Sequence, residues 1–565
     1  MGENIRIELE NWLFNAGVCG LINILGEENI NYIDNQTIEV PKILFDNFEE
    51  KYFSYFINKY QKLLSWNKIV SYEEKIQYHL ETDFENFTEA GLDDMNKFIG
   101  SDNTAGTLKY YMNSASYKSA YDLIEPGSDI LELVKSIKPV KISGKGETFE
   151  DKKEEIKSVL DKINRVIEFC KSSKGKKYLA GKNVIYTIIK NSWNGVCFLN
   201  PQTKEKDIYV DYKNYFLSPV SEYNSVDKSK YKYNCFVCDR NIKDLNNDIS
   251  FLNMTGFDTN RKTSHVWDFT NDIGICPVCK LVYSCVPAGM TFAYDRGIFI
   301  NDNSNVKNLV LVNNKIKSEV LNERDFNSSL TYKALIESMN EEVSDKMRYE
   351  LADIQVVRYE NETYRFNILS KKILKVIKDS KKDLDSLIKA GFKEVNTYFK
   401  IYELVIQRLF NNQNLYTLIH KALLYKISIP VNAHYLSSHI ISLLKINLRF
   451  LEGIGVMEKK EKDIVKLGNA SGYYLKKEYE SKNTQDKLRG ISYRLLNALK
   501  TSNIEMFMDT LLNCYLYVEK PVPSIFLDVL KNDDDFKTIG YAFIAGLLSE
   551  SKGSEKDSNK GGNEV

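Results

Sequence analysis

Cys235-Phe236-Val237-Cys238 and Cys276-Pro277-Val278-Cys279 are the two stretches on which the reading of this chain turns. Each places two thiols at i and i+3, and the tight turn between them lets both sulfurs face one point. Four such sulfurs make a tetrahedral cage suited to a structural Zn²⁺. Thirty-seven residues separate the pairs, more than the usual spacing of about fifteen to twenty. Doubling a loop costs only about 0.6 kcal/mol of closure entropy, whereas structural zinc supplies about 10–16 kcal/mol. Metal binding can therefore fold an otherwise loose, zinc-ribbon-like insertion. Two disulfides or four unrelated buried thiols are the plain alternatives, and an iron–sulfur cluster is the other metal reading. Four thiolates close the coordination shell, so the site reads as a brace and not as a catalytic centre. His265 and Cys285 stand as possible substitute ligands.

The bulk numbers set the frame. The 565 residues are enough for roughly two to four domains. Hydrophobic residues make up 43% and charged residues 27%, ordinary for a globular protein. Lys plus Arg (77) equals Asp plus Glu (77), so any nucleic-acid surface must be local. The remaining cysteines, Cys19, Cys170, Cys197, Cys285 and Cys514, show no disulfide framework, which favours a reducing cytoplasm. Trp12 to Leu25 is apolar but too short to span a bilayer, and Glu3, Glu8 and Glu10 upstream exclude a signal peptide. Arg6 stands where a myristoylation site needs Ser or Thr. The run reads as the first core helix, and no membrane contact is expected.

Along the chain, Phe45, Phe48, Tyr52, Phe56 and Tyr60 recur at helical steps. Residues 101–107 are polar and turn-rich. Ile156, Leu160, Ile163 and Ile167 mark a helix within 150–170. Residues 171–195 are basic and glycine-punctuated. Val196 to Leu199 and Asp207 to Leu217 read as strands from their Ile, Tyr and Val content. One hairpin is expected at 290–300 and another at 354–368, and the chain beyond is almost entirely helical to Glu550. The fold class that follows is α+β: a mixed N-terminal domain (1–229), an inserted four-cysteine zinc module (230–300), an α/β continuation with a hairpin and helices (301–430), a C-terminal all-α bundle (431–550) and a disordered tail (551–565).

No catalytic constellation emerges. There is no HExxH, and His79, His265, His420, His434 and His439 form no His–Asp doublet. Gly175 to Asn183 approaches a phosphate-cradling loop, but five residues lie between its glycines and Asn183 replaces the hydroxyl that holds Mg²⁺. The same region is a positive island. Lys171 to Lys206 holds eight lysines and one acid, Glu205. Lys174, Lys176, Lys177, Lys182 and Lys190 suit phosphate contacts, and Asn191, Trp193 and Asn194 suit base edges and stacking. A solvated loop without ligand is the alternative. Residues 457–500 carry eleven basic residues against six acids, with Lys476, Lys477, Lys487, Arg489 and Arg494 on expected helices. An ordinary exposed helix face accounts for that composition equally well.

Two widely spaced CxxC pairs lie mid-chain, Asn11-Trp12-Leu13-Phe14-Asn15-Ala16-Gly17 opens the chain, and Gly540-Tyr541-Ala542-Phe543-Ile544-Ala545-Gly546-Leu547-Leu548 stands near its end. Together these resemble the CRISPR-associated CXXC–CXXC family, the large subunit of type I (I-A/I-B) Cascade, over roughly 5–550. The resemblance implies a non-catalytic subunit of an RNA-guided surveillance complex. It would meet guide RNA and target DNA, the other Cascade subunits and a separate helicase–nuclease. It also implies recognition of the duplex motif flanking the target (PAM recognition), and a C-terminal domain that resembles the small subunit and lies along the displaced strand. A separately translated C-terminal fragment could begin at Met457. The resemblance carries over the four cysteines only. The physical candidates for motif reading are the 171–195 island and the loop 101–118, with Asn103, Thr104, Lys109, Asn113 and Lys118. A metal-dependent nuclease with an unrecognised carboxylate centre, and a zinc-containing protein-interaction scaffold, are the competing functions.

Overall fold

The computed structural model describes residues 4–84, 87–100, 106–142, 149–255, 273–293, 296–303, 305–322, 354–360, 362–459 and 461–550. Asn103, Thr104, His265 and the tail 551–565 lie outside them. The chain divides into two compact units, Met1–Leu321 with Val356–Phe366, and Asn322–Gln355 with Asn367–Val565.

The first unit is mixed. β1 (Asn4–Glu8), β2 (Asn31–Tyr32) and β3 (Thr37–Pro41) form an antiparallel sheet in the order β1-β3-β2, with Ile7 opposite Ile38. β1 alternates exposed and buried residues, Ile5 and Ile7 pointing to the core. α1 (Trp12–Leu25) begins where the Asn11 side chain accepts from the Leu13 and Phe14 N–H groups, capping the helix. It is buried on nearly every side. Among the described residues no helix is long and apolar enough to cross a membrane. α2 (Phe48–Lys59) buries Phe48, Tyr52 and Phe56, with Tyr60 just beyond, as the periodicity requires. α3 (Phe149–Lys171) buries Ile156, Leu160, Ile163 and Ile167.

The basic segment after it is helical and not a loop. Ser173–Gly175 and a π turn, Lys176–Ala180, lead into α4 (Gly181–Thr187). Asp207 to Leu217 is helical too, against the strand reading. The Asp207 carboxylate accepts from Tyr209 and Val210 N–H to cap α5 (Ile208–Tyr212), and a π turn, Lys213–Leu217, continues into α6 (Ser218–Ser225). Tyr209, Tyr212 and Phe216 are buried at helical spacing, so packing overrides their β propensity. Val196 to Leu199 likewise contains a 3₁₀ turn, Cys197–Leu199.

The cysteine segment is not a separate body. It holds β4 (Tyr233–Asn234), β5 (Asn241–Ile242), α7 (Pro277–Ser284) and α8 (Val286–Gly289), whose buried residues share one core with α1 and α2. β6 (Thr291–Ala293) and β7 (Arg296–Asn301) form the expected first hairpin. After α9 (Val306–Asn322), β8 (Ile354–Glu360) and β9 (Thr363–Leu369) complete a four-stranded sheet in the order β6-β7-β8-β9. Trp12 lies edge-on to Tyr364 and Phe366, 5.0 and 5.3 Å between ring centroids.

The second unit is mainly helical, with one small sheet of β10 (Gly391–Glu394), β11 (Thr397–Lys400) and β12 (Ala433–His434) that the sequence did not signal. α10 (Tyr416–Ser428), α11 (Ser437–Ile454), α12 (Ile464–Ser481), α13 (Lys487–Lys500) and α14 (Ile504–Val518) precede α15 (Asp533–Leu547). α15 is buried along almost its whole length and packs against α10, α11, α12 and α13. Its Asp533, Asp534 and Asp535 suit the positive end of the helix dipole. Tyr416 on α10 donates to the Asp534 carbonyl at 3.0 Å, and Ser437 on α11 donates to that of Leu548 at 2.9 Å. A fragment starting at Met457 would keep α12 to α15 and lose the two helices that cover this side.

Both terminal motifs of the sequence are close-packing devices. A methyl on Gly17 of α1 would lie 2.4 Å from the Val282 carbonyl oxygen, and one on Gly289 of α8 would lie 1.9 Å from that of Ala16. A methyl on Gly472 of α12 would lie 2.0 Å from the Phe543 carbonyl oxygen, and one on Gly546 of α15 would lie 2.1 Å from that of Asn469. Gly472→Ala should therefore force α12 and α15 apart and destabilise the protein by about 1–3 kcal/mol. Gly490→Ala on α13 meets nothing within 4 Å and should stabilise by up to about 1 kcal/mol through helix propensity. Thermal melts of the two variants should shift in opposite directions; a neutral Gly472→Ala would refute the close approach.

Candidate metal centre

The first cysteine pair sits on a knuckle. β4 and β5 pair with Tyr233 opposite Ile242 and Asn234 opposite Asn241. Between them the Cys235 N–H donates to the Arg240 carbonyl at 2.8 Å, and the Asp239 N–H donates to that of Cys235 at 3.0 Å. Asp239 takes φ of 54°, a left-handed conformation that Asp tolerates and that closes the turn. The second pair starts a helix. Cys276 is the N-cap of α7, and its sulfur accepts from the Cys279 N–H at 3.4 Å. Pro277 occupies the first helical position, where its fixed φ fits and its missing N–H costs nothing. A helix N-terminus also favours a thiolate over a thiol.

These two frames bring the sulfurs together. The ligand atoms of Cys235, Cys238, Cys276 and Cys279 all lie within 4.8 Å of one another, and those of Cys238 and Cys276 are 3.6 Å apart. A tetrahedral ion with metal–sulfur bonds of about 2.3 Å would set its sulfurs about 3.8 Å apart, so the cage has the right size. The Cys276 N–H donates to the Cys235 sulfur at 3.2 Å, a further stabiliser of a thiolate there. All nine cysteines are free in this structure. Cys235, Cys276 and Cys279 are buried and Cys238 is half-buried. Cys285 is fully buried but stands outside the cluster, so it is no substitute ligand.

Charge explains why the cluster wants an ion. Hydrogen bonds from Cys238, Cys276 and Cys279 hold the Cys235 thiol far below its ordinary range. The Cys276 and Cys279 hydrogens are held by the Cys235 and Cys238 sulfurs, which pushes both thiols up. Only a cation lets all four ionise together. With every position taken by sulfur, a bound ion has no vacancy for water or substrate, so the arrangement braces structure.

The brace is bolted to the core. Ser284, the last residue of α7, accepts at its carbonyl from Tyr52 Oη at 2.9 Å and from Trp193 Nε1 at 3.1 Å. Its hydroxyl meets Tyr212 Oη at 2.7 Å. Asn11, the cap of α1, donates to Tyr283 Oη at 3.3 Å, and Phe14 packs edge-on against Tyr283. The opening motif is thus in direct contact with the helix that the second CxxC pair begins.

Residues 228–291 match the family model described as CRISPR-associated protein (Cas_CXXC_CXXC). That segment of the chain is similar to the CRISPR-associated CXXC–CXXC family. The matched segment carries all four clustered cysteines and ends at the first strand of the 290–300 hairpin. No curated protein and no solved structure matches the chain.

The structure sorts the proposed nucleic-acid residues. Lys174 and Lys190 are exposed and unpaired among the described residues. Lys176 lies over the Trp66 ring at 5.7 Å. Lys177 pairs with Glu50 and lies over the Tyr209 ring at 4.2 Å. Lys182 is largely buried, which lowers its ammonium pKa, with Asp207 and Asp211 opposing. The Asn191 amide donates to the Thr187 carbonyl at 3.0 Å, and Asn194 is exposed. Trp193 is wholly buried against Phe198, Phe216 and Phe251, so its ring cannot stack on a base, as the sequence suggested it would. Asn183, in the phosphate-loop lookalike, accepts from the Trp66 N–H and from Tyr117 Oη, each at 2.8 Å. Lys109 is half-buried, whereas Lys118 is exposed.

In the second unit, Lys476 and Lys477 both pair with Glu480, at 3.5 and 2.7 Å. Lys487 lies over the Tyr517 ring at 4.6 Å. Arg489 and Arg494 are exposed without a partner among the described residues. They share α13 with Lys500 and with Tyr493, which is 57% exposed, and this helix contains no acid. Tyr493 is the residue that the sequence reading passed over; its signal was the acid-free stretch Lys487 to Lys500.

Loaded with Co²⁺ at neutral pH, the full chain should bind one ion and show thiolate-to-cobalt absorption. Because the ion must displace the protons held on the raised Cys276 and Cys279 thiols, acidification from about pH 7 to about pH 5 should release it. Cys276→Ser should abolish that absorption and lower the melting temperature. Absorption unchanged in Cys276→Ser would exclude this site.

Proposed function

We propose that this CRISPR-associated protein is the large subunit of a type I RNA-guided surveillance complex, Cascade, and has no chemistry of its own. It would recognise the motif flanking the DNA target, stabilise the R-loop together with the guide RNA and the other subunits, and help to recruit a helicase–nuclease. The observation that carries this reading is the closed four-thiolate cage within the family-matched segment, bolted through Ser284 to the core of the first unit. Zn²⁺ is the ion that such a set of four thiolates suits best, and it would act as a structural cofactor. Near-neutral overall charge with local cationic surfaces fits a protein that leaves sequence reading to base pairing.

The acid-free face of α13 supports the nucleic-acid part of the proposal. Arg489 and Arg494 present guanidinium groups with no partner among the described residues, and Tyr493 offers an exposed ring between them. In the assembled complex, Arg489→Glu with Arg494→Glu should weaken target DNA binding at least about tenfold. The slope of log affinity against log salt should fall by about 0.7–0.9 per lost phosphate contact. Gel-shift titrations across salt concentrations measure both, and an unchanged affinity and slope would exclude this helix as a contact surface.

The absence of chemistry has its own test. The purified chain, given labelled DNA with Mg²⁺ or Mn²⁺, should leave the strands intact. Cleavage that disappears on replacing a single carboxylate would overturn the non-catalytic assignment in favour of a nuclease.

A further inference from the structure

A divalent ion in a cage of four thiolates leaves a net charge of −2, and the charge must be met by groups close to the sulfurs. A cleft of about 310 Å³ runs beside Cys238 and Cys279 and is walled on its other side by β1. Five charged side chains line it: Arg6, Glu8, Glu10, Asp239 and Arg240. Arg240 follows the first CxxC pair by two residues and makes no ion pair with any of those three carboxylates. Its main-chain carbonyl closes the knuckle through the Cys235 N–H at 2.8 Å. Its guanidinium donates to the carbonyl of Arg6 on β1.

The position of that carbonyl matters. β1 is the edge of its sheet. Leu9 donates to Gln36 on the β3 side, so by the alternation of an antiparallel ladder Arg6 and Glu8 turn their main-chain groups outward. An open edge of this kind frays or pairs with other chains unless something covers it. Here the cysteine knuckle covers it, and Arg240 makes the bond.

We propose that Arg240 is the positioning residue of the metal centre: its guanidinium balances the excess negative charge of the filled cage and ties the free edge of β1 to it. Occupancy of the cage and order in the N-terminal strand are thereby coupled. The inference rests on the cage holding a metal ion.

The test uses the full chain loaded with one Co²⁺, with chelator competition to follow retention and hydrogen exchange of residues 4–9 to follow the strand. Arg240→Met should weaken metal retention about 10–100-fold, the usual effect of losing an outer partner of a metal site. Exchange at 4–9 should rise toward the metal-free level, while the cobalt spectrum at full loading stays tetrahedral. Arg240→Lys keeps the charge but lacks the planar fork, so it should restore retention and leave 4–9 unprotected. If Arg240→Met does not fold, Arg240→Lys alone decides, through lost protection with the ion retained. Wild-type values in both readouts for either variant would overturn the proposal. A wild-type chain that takes up no Co²⁺ would overturn the metal centre itself, and this coupling with it.

Discussion

Four thiols within 4.8 Å of one another cannot all ionise without a cation among them, and that constraint organises the first unit. Two different pieces of backbone satisfy it. A short hairpin with a left-handed Asp239 offers one pair, and the capped start of α7 offers the other. Neither piece is large. β4 and β5 are two residues each, far below what a hairpin needs to persist alone. Their order has to come from the centre they build and from the core below it.

That core meets the centre through polar bonds as well as apolar burial. Ser284 gathers Tyr52, Trp193 and Tyr212 at the end of the cysteine helix. Each of those rings would otherwise bury an unsatisfied donor, a cost of about 1–3 kcal/mol. The helix is therefore pinned at both ends, by sulfur chemistry at its start and by ring hydroxyl and indole groups at its finish. Glycines set the distances. Gly20 against Cys285 in the first unit, and Gly472 against Phe543 in the second, let backbones approach to where a methyl would collide. In the second unit α15 is buried on almost every side by neighbouring helices.

Electrostatics divides the lysines and arginines into two groups. Lys177 and Lys476 are held by carboxylates, and Lys176 and Lys487 by rings. Such cations cover apolar surface or steady neighbouring elements, and their charge is largely used. Arg489 and Arg494 are not held in this way, and they stand on a helix with no acid at all. A count of charges along the chain treats both groups alike. The difference is whether a neighbour has already claimed the charge, and such neighbours can lie far off in sequence, as Glu50 does for Lys177.

The cluster of four cysteines that could hold an ion was legible because CxxC spacing forces two sulfurs to one side whatever surrounds them. The helical stripes of α2 and α3 were legible because their period is that of the helix. The same local logic failed for Asp207 to Leu217, whose strand-forming residues are drawn into a helix by the core that buries Tyr209, Tyr212 and Phe216. It failed for Trp193, because exposure is a property of the whole fold and not of a basic neighbourhood. By itself, then, the sequence determined which atoms could bind an ion and which helices would form, since both follow from spacing along the chain. Tertiary structure alone decided that the cysteine segment joins the first unit's core, that Arg240 shares a cleft with Cys238 and Cys279 and bonds the edge of β1, and which cations stay free among the described residues, because those are contacts between residues that chain order does not bring together.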